Sequence, residues 1–243
     1  MTTRRAFLAT FPAAFSTALP ALAALAPAPA SAAASQCAVF TSARQKSTSP
    51  EEALRLLAEG NARFVAGKTI NCDLRAQVRE TAGGQAPFAA ILGCIDSRVP
   101  PELVFDQRLG DIFCARIAGN FVNTDILGSL EFATKLEGAK LIVVLGHREC
   151  GAVKGAVDGA KLGNLTAMLE RLAPAVAAAH GIAGPHSSKN GKLVQAVADA
   201  NVAIAVRQLT ERSEVLRALV AAKELAIVPA MNDIATGRVT FTA

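Results

Sequence analysis

The stretch that decides the fold is LIVVLGHRECG, residues 141–151. Its first five residues are all apolar, and three of them are β-branched. This composition predicts a short strand that is buried on both faces. Such strands are typical of parallel sheets that carry helices on both sides. Gly146 and His147 follow the apolar run, so a polar, reactive side chain is expected where the strand ends.

Working outward, further apolar runs alternate with helical patterns. The alternation predicts an α/β fold with a mainly parallel β-sheet of four to five strands flanked by helices. In such sheets, functional sites lie at the carboxyl ends of the strands. The other predicted strands are residues 88–93, 112–117, 225–229 and an edge strand at 237–242, and the predicted helices are 50–67, 124–137, 151–158, 164–180 and 192–222.

Length and composition limit the class of protein. The 243 residues are enough for one domain with a hydrophobic core. There is no Trp and no Tyr, which excludes any mechanism that needs an indole or a phenol. The net charge is +5, and no dense stripe of Lys and Arg with interleaved aromatic residues is present. The sequence therefore does not indicate a nucleic-acid partner.

Residues 1–35 have the pattern of a cleaved signal peptide. Arg4 and Arg5 precede Phe7-Leu8, an Ala- and Leu-rich stretch follows, and residues 30–34 are small. The arginine pair resembles a bacterial twin-arginine export signal. The alternative is a retained membrane anchor, but prolines interrupt the apolar run before it reaches the length of a span. We expect a domain over residues 36–243, no stable membrane span after processing, and a periplasmic or secreted location.

Three residues have the chemistry and the placement of a metal site. Cys94 follows the predicted strand 88–93, His147 follows the strand 141–145, and Cys150 comes three residues later. Two thiolates and an imidazole suit Zn²⁺, and a three-residue ligand set leaves one tetrahedral position open for water. The competing interpretation is that both cysteines are ordinary buried thiols, because a single His-x-x-Cys motif is weakly specific.

The motifs together resemble the β-class carbonic anhydrases. The segment CIDSRVPP at 94–101 is similar to the first family signature, and the segment from Glu131 to Ala152 is similar to the second. Between them, GDIF at 110–113 and RIAGN at 116–120 also fit the family. The resemblance covers about residues 50–242. It implies one Zn²⁺ per chain held by Cys94, His147 and Cys150.

The resemblance also implies a function and an assembly. Zinc-bound hydroxide would attack carbon dioxide reversibly to give bicarbonate and a proton. Asp96 would orient the hydroxide, and Arg98 would hold Asp96 away from the metal. The family suggests a homodimer or higher homo-oligomer. Ile95 and Asn232 depart from the usual family residues, and the absence of Trp argues against the bicarbonate regulation that some members show.

Two alternatives keep the metal site but change its role. One is the same fold and metal acting on carbon disulfide or carbonyl sulfide. The other is a non-catalytic periplasmic zinc-binding protein, although zinc storage has no need of the Asp96–Arg98 pair. The remaining cysteines lie outside the motifs. We expect Cys114 to be a buried core thiol and suggest a disulfide between Cys37 and Cys72, because exposed thiols tend to pair in an oxidising compartment.

Overall fold

The computed structural model describes residues 36–242, so the predicted signal segment 1–35 lies outside the described residues. Helices and strands alternate along most of the described chain, as the sequence predicts. The strands are β1 (Ala89–Gly93), β2 (Ile112–Arg116), β3 (Leu141–His147), β4 (Ala226–Asn232) and β5 (Val239–Phe241). The helices are α1 (Ser42–Ser47), α2 (Pro50–Val65), α3 (Leu74–Thr81), α4 (Pro101–Val104), α5 (Thr124–Glu131) with a π-helical turn (Phe132–Leu136), α6 (Gly151–Val157), α7 (Gly163–Leu169) with a 3₁₀ turn (Glu170–Leu172), α8 (Ala173–Ala178), α9 (Gly191–Arg212) and α10 (Glu214–Ala221).

The five strands form one sheet in the order β2-β1-β3-β4-β5. The first four are mutually parallel, and β5 is antiparallel to β4. This confirms the predicted α/β class and the mainly parallel sheet. Gly93 pairs with Leu145, so the residues that follow β1 and the last residues of β3 lie at the same edge of the sheet. The register therefore brings Cys94 and His147 together.

The core lies on both faces of β3, and every residue of this strand is buried. Successive side chains of a strand point to opposite faces. Leu141, Val143 and Leu145 accordingly pack in the cluster that includes Leu57 of α2. Ile142 and Val144 pack in the opposite cluster, with residues of α5, α9 and α10. Burial on both faces is the reason why this strand has no polar position before Gly146.

Capping residues set several helix boundaries. Ser49 accepts a hydrogen bond from the Glu52 amide at the start of α2, as the Ser-Pro-Glu-Glu pattern predicts. The predicted helical region 192–222 consists of two helices, because Ser213 ends α9 and caps α10 through the Leu216 amide. The helices α1, α3 and α4 were not predicted from the sequence; each has eight residues or fewer.

The cysteines outside the motifs have two different environments. Cys37 and Cys72 form a disulfide, as we suggested from the sequence. Cys114 is only half-buried, since it lies on β2 at the edge of the sheet, so the expectation of a fully buried core thiol is wrong. Across residues 36–242, no helix is long and apolar enough to cross a membrane.

Candidate metal centre

The three predicted ligands converge at the carboxyl edge of the sheet. Cys94 directly follows β1, His147 is the last residue of β3, and Cys150 directly precedes α6. One ligand atom from each residue lies within 4.8 Å of those of the other two. All three residues are buried, with exposed fractions of 5 % for Cys94 and 1 % for His147 and Cys150.

The backbone between His147 and Cys150 turns sharply. Gly146 precedes the turn, and a Cβ there would approach Val202 to 2.5 Å, so a larger residue does not fit. Glu149 has a φ of 56°, in the left-handed region that few non-glycine residues adopt. Its carboxylate forms an ion pair with Lys154 of α6. The turn places Cys150 at the start of α6, where the amides of Ala152 and Val153 partly oppose the rise in the Cys150 pKa that Cys94 and burial cause.

The hydrogen bonding of His147 prepares one nitrogen for a metal. Nδ1 lies 2.9 Å from the Arg148 carbonyl oxygen, which can only accept, so Nδ1 carries the proton and donates it. Nε2 is then the lone-pair nitrogen. It is buried and has no hydrogen-bond partner among the described residues. A carbonyl on Nδ1 and an unpartnered Nε2 are typical of a metal-ligating histidine.

The two sulfurs are also prepared for a cation. The Gly119 amide lies 3.3 Å from the Cys94 sulfur and donates to it. Hydrogen bonding with Cys150 is the main cause that lowers the pKa of Cys94, and the same interaction raises the pKa of Cys150. A divalent cation held by both sulfurs would bind them as thiolates and displace the protons of the thiols. Two sulfurs and one imidazole nitrogen fit Zn²⁺.

Asp96 and Arg98 lie beside this ligand set. The Arg98 side chain donates to both carboxylate oxygens of Asp96, through Nε at 2.9 Å and Nη2 at 2.7 Å. These hydrogen bonds hold the pKa of Asp96 well below its usual range. Asp96 Oδ2 lies 3.9 Å from His147 Nε2. The carboxylate is therefore adjacent to the ligand atoms while Arg98 grips it from the other side.

No role was assigned from the sequence to two residues that position the site, although Arg116 lies in the RIAGN motif. Arg116, the last residue of β2, donates to the carbonyl oxygens of Cys94 at 2.8 Å and Asp96 at 2.7 Å. Asn201 of α9 donates to the Gly119 carbonyl at 2.8 Å and so fixes the loop whose amide contacts the Cys94 sulfur. The only available signal for Asn201 was a polar residue on the apolar face of a helix.

The two departures from the family pattern have different surroundings. Ile95 is 61 % exposed, so its side chain lies at the surface of the single chain, next to Cys94 in sequence. Asn232 is buried and pairs with His147 across β3 and β4. Its carbonyl accepts a hydrogen bond from the Arg148 amide at 2.9 Å. Asn232 thus supports the backbone next to a proposed ligand.

The chain belongs to the carbonic anhydrase family, because the model of that family, described as "Carbonic anhydrase", matches residues 89–239. This span includes all three proposed ligands together with Asp96 and Arg98. The sheet, the helices on both its faces and the Cys-His-Cys cluster are those expected of the β class. The family match therefore confirms the resemblance to carbonic anhydrases that the sequence motifs show.

Two curated relatives and one solved structure illustrate the similarity. "Carbonic anhydrase 2" of Mycobacterium tuberculosis is 45 % identical over 138 residues, which is 53 % of this chain and 65 % of that protein. A carbonic anhydrase of Mycolicibacterium smegmatis is 36 % identical over 198 residues, covering 79 % of this chain and 93 % of the relative. One of two tetrameric β-carbonic anhydrases from Sordaria macrospora superposes with a TM-score of 0.59 at 28 % identity, covering 70 % and 92 % of the two chains.

Proposed function

We propose that this chain is a zinc-dependent carbonic anhydrase that interconverts carbon dioxide and bicarbonate. The observation that carries the proposal is the convergence of Cys94, His147 and Cys150 beside a carboxylate that Arg98 holds in place. Three protein ligands leave a tetrahedral zinc one open position, which a catalytic site needs and a closed structural site lacks. The family membership supports the same function.

Zinc bound by these three residues would supply a hydroxide near neutral pH, because it lowers the pKa of water. The protein's part is to hold the ligands and to orient the attacking group. Asp96 is ionised, and its Oδ2 is close enough to the ligand atoms to accept a hydrogen bond from the O–H of the nucleophile. By accepting that bond, Asp96 would orient the nucleophile so that an oxygen lone pair is free for carbon dioxide.

Arg98 influences whether the Asp96 carboxylate could bind the metal itself. A carboxylate oxygen is itself a competent zinc ligand, so a released Asp96 would compete for the open position. The two-pronged contact with Arg98 opposes this, because a planar guanidinium satisfies both carboxylate oxygens at once. The contact between Arg98 and Asp96 supports a site in which the fourth metal position is left open to water.

A stopped-flow pH-indicator assay of the purified protein, with zinc content measured on the same sample, tests the proposal. Rapid acidification after mixing with carbon dioxide, in proportion to zinc content, is the expected result. Full zinc occupancy without carbon dioxide hydration would instead favour the non-catalytic zinc-binding alternative. Parallel assays with carbonyl sulfide and carbon disulfide test the alternative substrates.

The proposal includes an assembly and a location. We propose a homodimer or higher homo-oligomer, supported by the tetrameric relatives from Sordaria macrospora. Light scattering of the purified protein measures this directly. We further propose export through the twin-arginine signal in residues 1–35 to the periplasm or the exterior. The Cys37–Cys72 disulfide supports that location, since disulfides persist in oxidising compartments.

A further inference from the structure

A second cluster of charged groups lies at the opposite edge of the sheet from the metal ligands. It surrounds a cavity of about 230 Å³. Phe88 and Asp111 line this cavity and directly precede β1 and β2, so it lies at the amino ends of these strands. The five residues of β1 separate it from Cys94 by about 16 Å. We call it the arginine cavity, because Arg44, Arg63 and Arg108 all line it.

Two of the three guanidinium groups have no ion-pair partner. Arg63 is paired with Asp106. Within residues 36–242, neither Arg44 nor Arg108 lies within 4.0 Å of a carboxylate. The Arg44 guanidinium packs over the Phe40 ring, 4.1 Å from its centroid, which orients the group without using its N–H donors. Burial is the main cause that lowers the pKa of Arg108; the nearby Asp111 and Asp106 oppose this, and Arg63 and Arg44 add to it.

The carboxyl group in the cavity has an unmet hydrogen-bonding capacity. Asp111 is only 5 % exposed. Its Oδ2 accepts a hydrogen bond from the Arg108 amide at 3.0 Å, whereas its Oδ1 is buried and has no partner among the described residues. Burial raises the pKa of Asp111, which favours the protonated form. A protonated carboxyl is a hydrogen-bond donor and would satisfy Oδ1 by donating to an acceptor.

The charges in the arginine cavity do not cancel. Its lining contains three arginines but only two acids, Glu59 and Asp111. Glu59 shares Arg55 with Glu52. Arg63 is paired with Asp106, so the lining cations that remain without a carboxylate partner among the described residues are Arg44 and Arg108. Arg44 is exposed to solvent, whereas Arg108 is half-buried, and a half-buried cation without a carboxylate partner favours binding of an anion. Two guanidinium groups that lack a carboxylate partner in the described chain, at one cavity, are the pattern that an oxyanion complements.

We propose that the arginine cavity binds a small oxyanion of the phosphate class, separately from the metal centre. A tetrahedral oxyanion presents several acceptor oxygens, which match the fork of Arg44 and the Nη2 of Arg108, since Arg108 Nε and Nη1 already donate to the carbonyls of Gln36 and Asp106. One wall of the cavity is the segment that the disulfide anchors. Arg108 Nε donates to the Gln36 carbonyl at 2.9 Å, and Gln36 precedes Cys37 of the disulfide. The proposal does not depend on the enzymatic activity.

Isothermal titration calorimetry of the zinc-loaded protein with inorganic phosphate tests the proposal. Arg44→Gln removes one guanidinium that makes no hydrogen bond within the described residues, so the fold should be retained. We expect this change to weaken phosphate binding about tenfold, which corresponds to the loss of one charge-assisted hydrogen bond. Asp111→Asn replaces a protonated carboxyl with an amide that also donates hydrogen bonds, at nearly constant volume, and should bind phosphate about as tightly as the wild type.

Lys46→Gln is the matched control. Lys46 lies on α1 two residues from Arg44, is exposed, and does not line the cavity. The Lys46→Gln variant loses one positive charge, as Arg44→Gln does, and should bind phosphate with the affinity of the wild type. Three results would overturn the proposal: no phosphate binding by the wild type, equal weakening in Arg44→Gln and Lys46→Gln, or unchanged binding in Arg44→Gln. The last would place the phosphate elsewhere, such as at the metal centre.

Discussion

The Arg98 guanidinium donates to both carboxylate oxygens of Asp96, one through Nε and the other through Nη2. The Arg98 amide also donates to Asp96 Oδ1 at 3.0 Å. Three donors from one residue thus hold a carboxylate whose oxygen lies 3.9 Å from the imidazole nitrogen of His147. The ion pair is formed by a partly exposed arginine, so its main value is positional rather than stabilising.

Replacing Arg98 should separate zinc binding from catalysis. Arg98→Ala frees Asp96 to take the open metal position, so we expect turnover to fall about 10- to 100-fold while zinc content stays near that of the wild type. Arg98→Lys should restore only part of the rate, because an ammonium group lacks the two-pronged geometry. Asp96→Asn should also retain zinc and lose rate. Zinc content and turnover from about pH 6 to about pH 9 measure these effects. If Arg98→Ala turned over at the wild-type rate across that range, the Asp96–Arg98 pair would have only a structural role in the turn.

The two proposed sulfur ligands should be essential for metal binding. Cys94→Ser and Cys150→Ser should each lose most of the zinc and the activity, because a serine hydroxyl is a poor substitute for a thiolate. Elemental analysis of the purified variants measures the zinc. Cys114→Ser serves as the control, since Cys114 lies on the edge strand away from the cluster and should keep full zinc. One zinc per chain in a variant lacking both Cys94 and Cys150 would refute the ligand assignment.

The Cys37–Cys72 disulfide should stabilise the folded chain. Its two cysteines are 35 residues apart, so the bond restricts a long loop in the unfolded state. A Cys37→Ser/Cys72→Ser variant should lose about 2–4 kcal/mol of unfolding free energy. Urea denaturation of both proteins, each loaded with zinc, measures the difference. Mass spectrometry of unreduced, alkylated protein checks the bond itself, and alkylation of both cysteines would show that it does not form.

Export should depend on the arginine pair of the predicted signal. Arg4→Lys and Arg5→Lys together preserve charge, yet a twin-arginine pathway should no longer recognise the segment, and the precursor should accumulate in the cytoplasm. Cell fractionation and immunoblotting measure the distribution. Thr2→Ser/Thr3→Ser changes the adjacent positions and should leave export intact. Equal export of both variants would point to a different route.

The buried Asp111 should make stability depend on pH. Because burial raises its pKa in the folded state, ionisation at higher pH penalises the folded protein more than the unfolded one. Asp111→Asn removes this penalty. The variant should therefore gain stability relative to the wild type at about pH 8, and the gain should shrink as pH falls toward the ordinary pKa of about 3.9. Thermal melting at several pH values, with zinc content verified, measures this; a gain that did not change with pH would contradict the assignment.

The sheet and the proposed ligands could be predicted because their signals are local. The five apolar residues that begin β3 indicate a doubly buried strand without reference to any other part of the chain. Once two parallel strands are recognised, their carboxyl ends must lie at one edge, which brings Cys94 and His147 together. The structure places both where the sequence predicted.

The missed features depend on contacts that the sequence does not display. The eight-residue helix α3 is capped by Asp73, but it has no long apolar repeat that would distinguish it from a loop. Asn201 contacts Gly119 across a separation of 82 residues, so nothing near either residue predicts the pair. The same holds for the arginine cavity, whose three guanidinium groups come from α1, α2 and the segment before β2.

The covalent link between Cys37 and Cys72 also changes the outcome of proteolysis. The link closes a ring that contains all of α1 and α2. Lys68 lies in the exposed segment that follows α2, inside this ring. A protease that cut the chain after Lys68 would nick the ring without releasing a fragment, because the sulfurs would still join the two pieces. Digested protein would then migrate as one band on a non-reducing gel and as two bands after reduction.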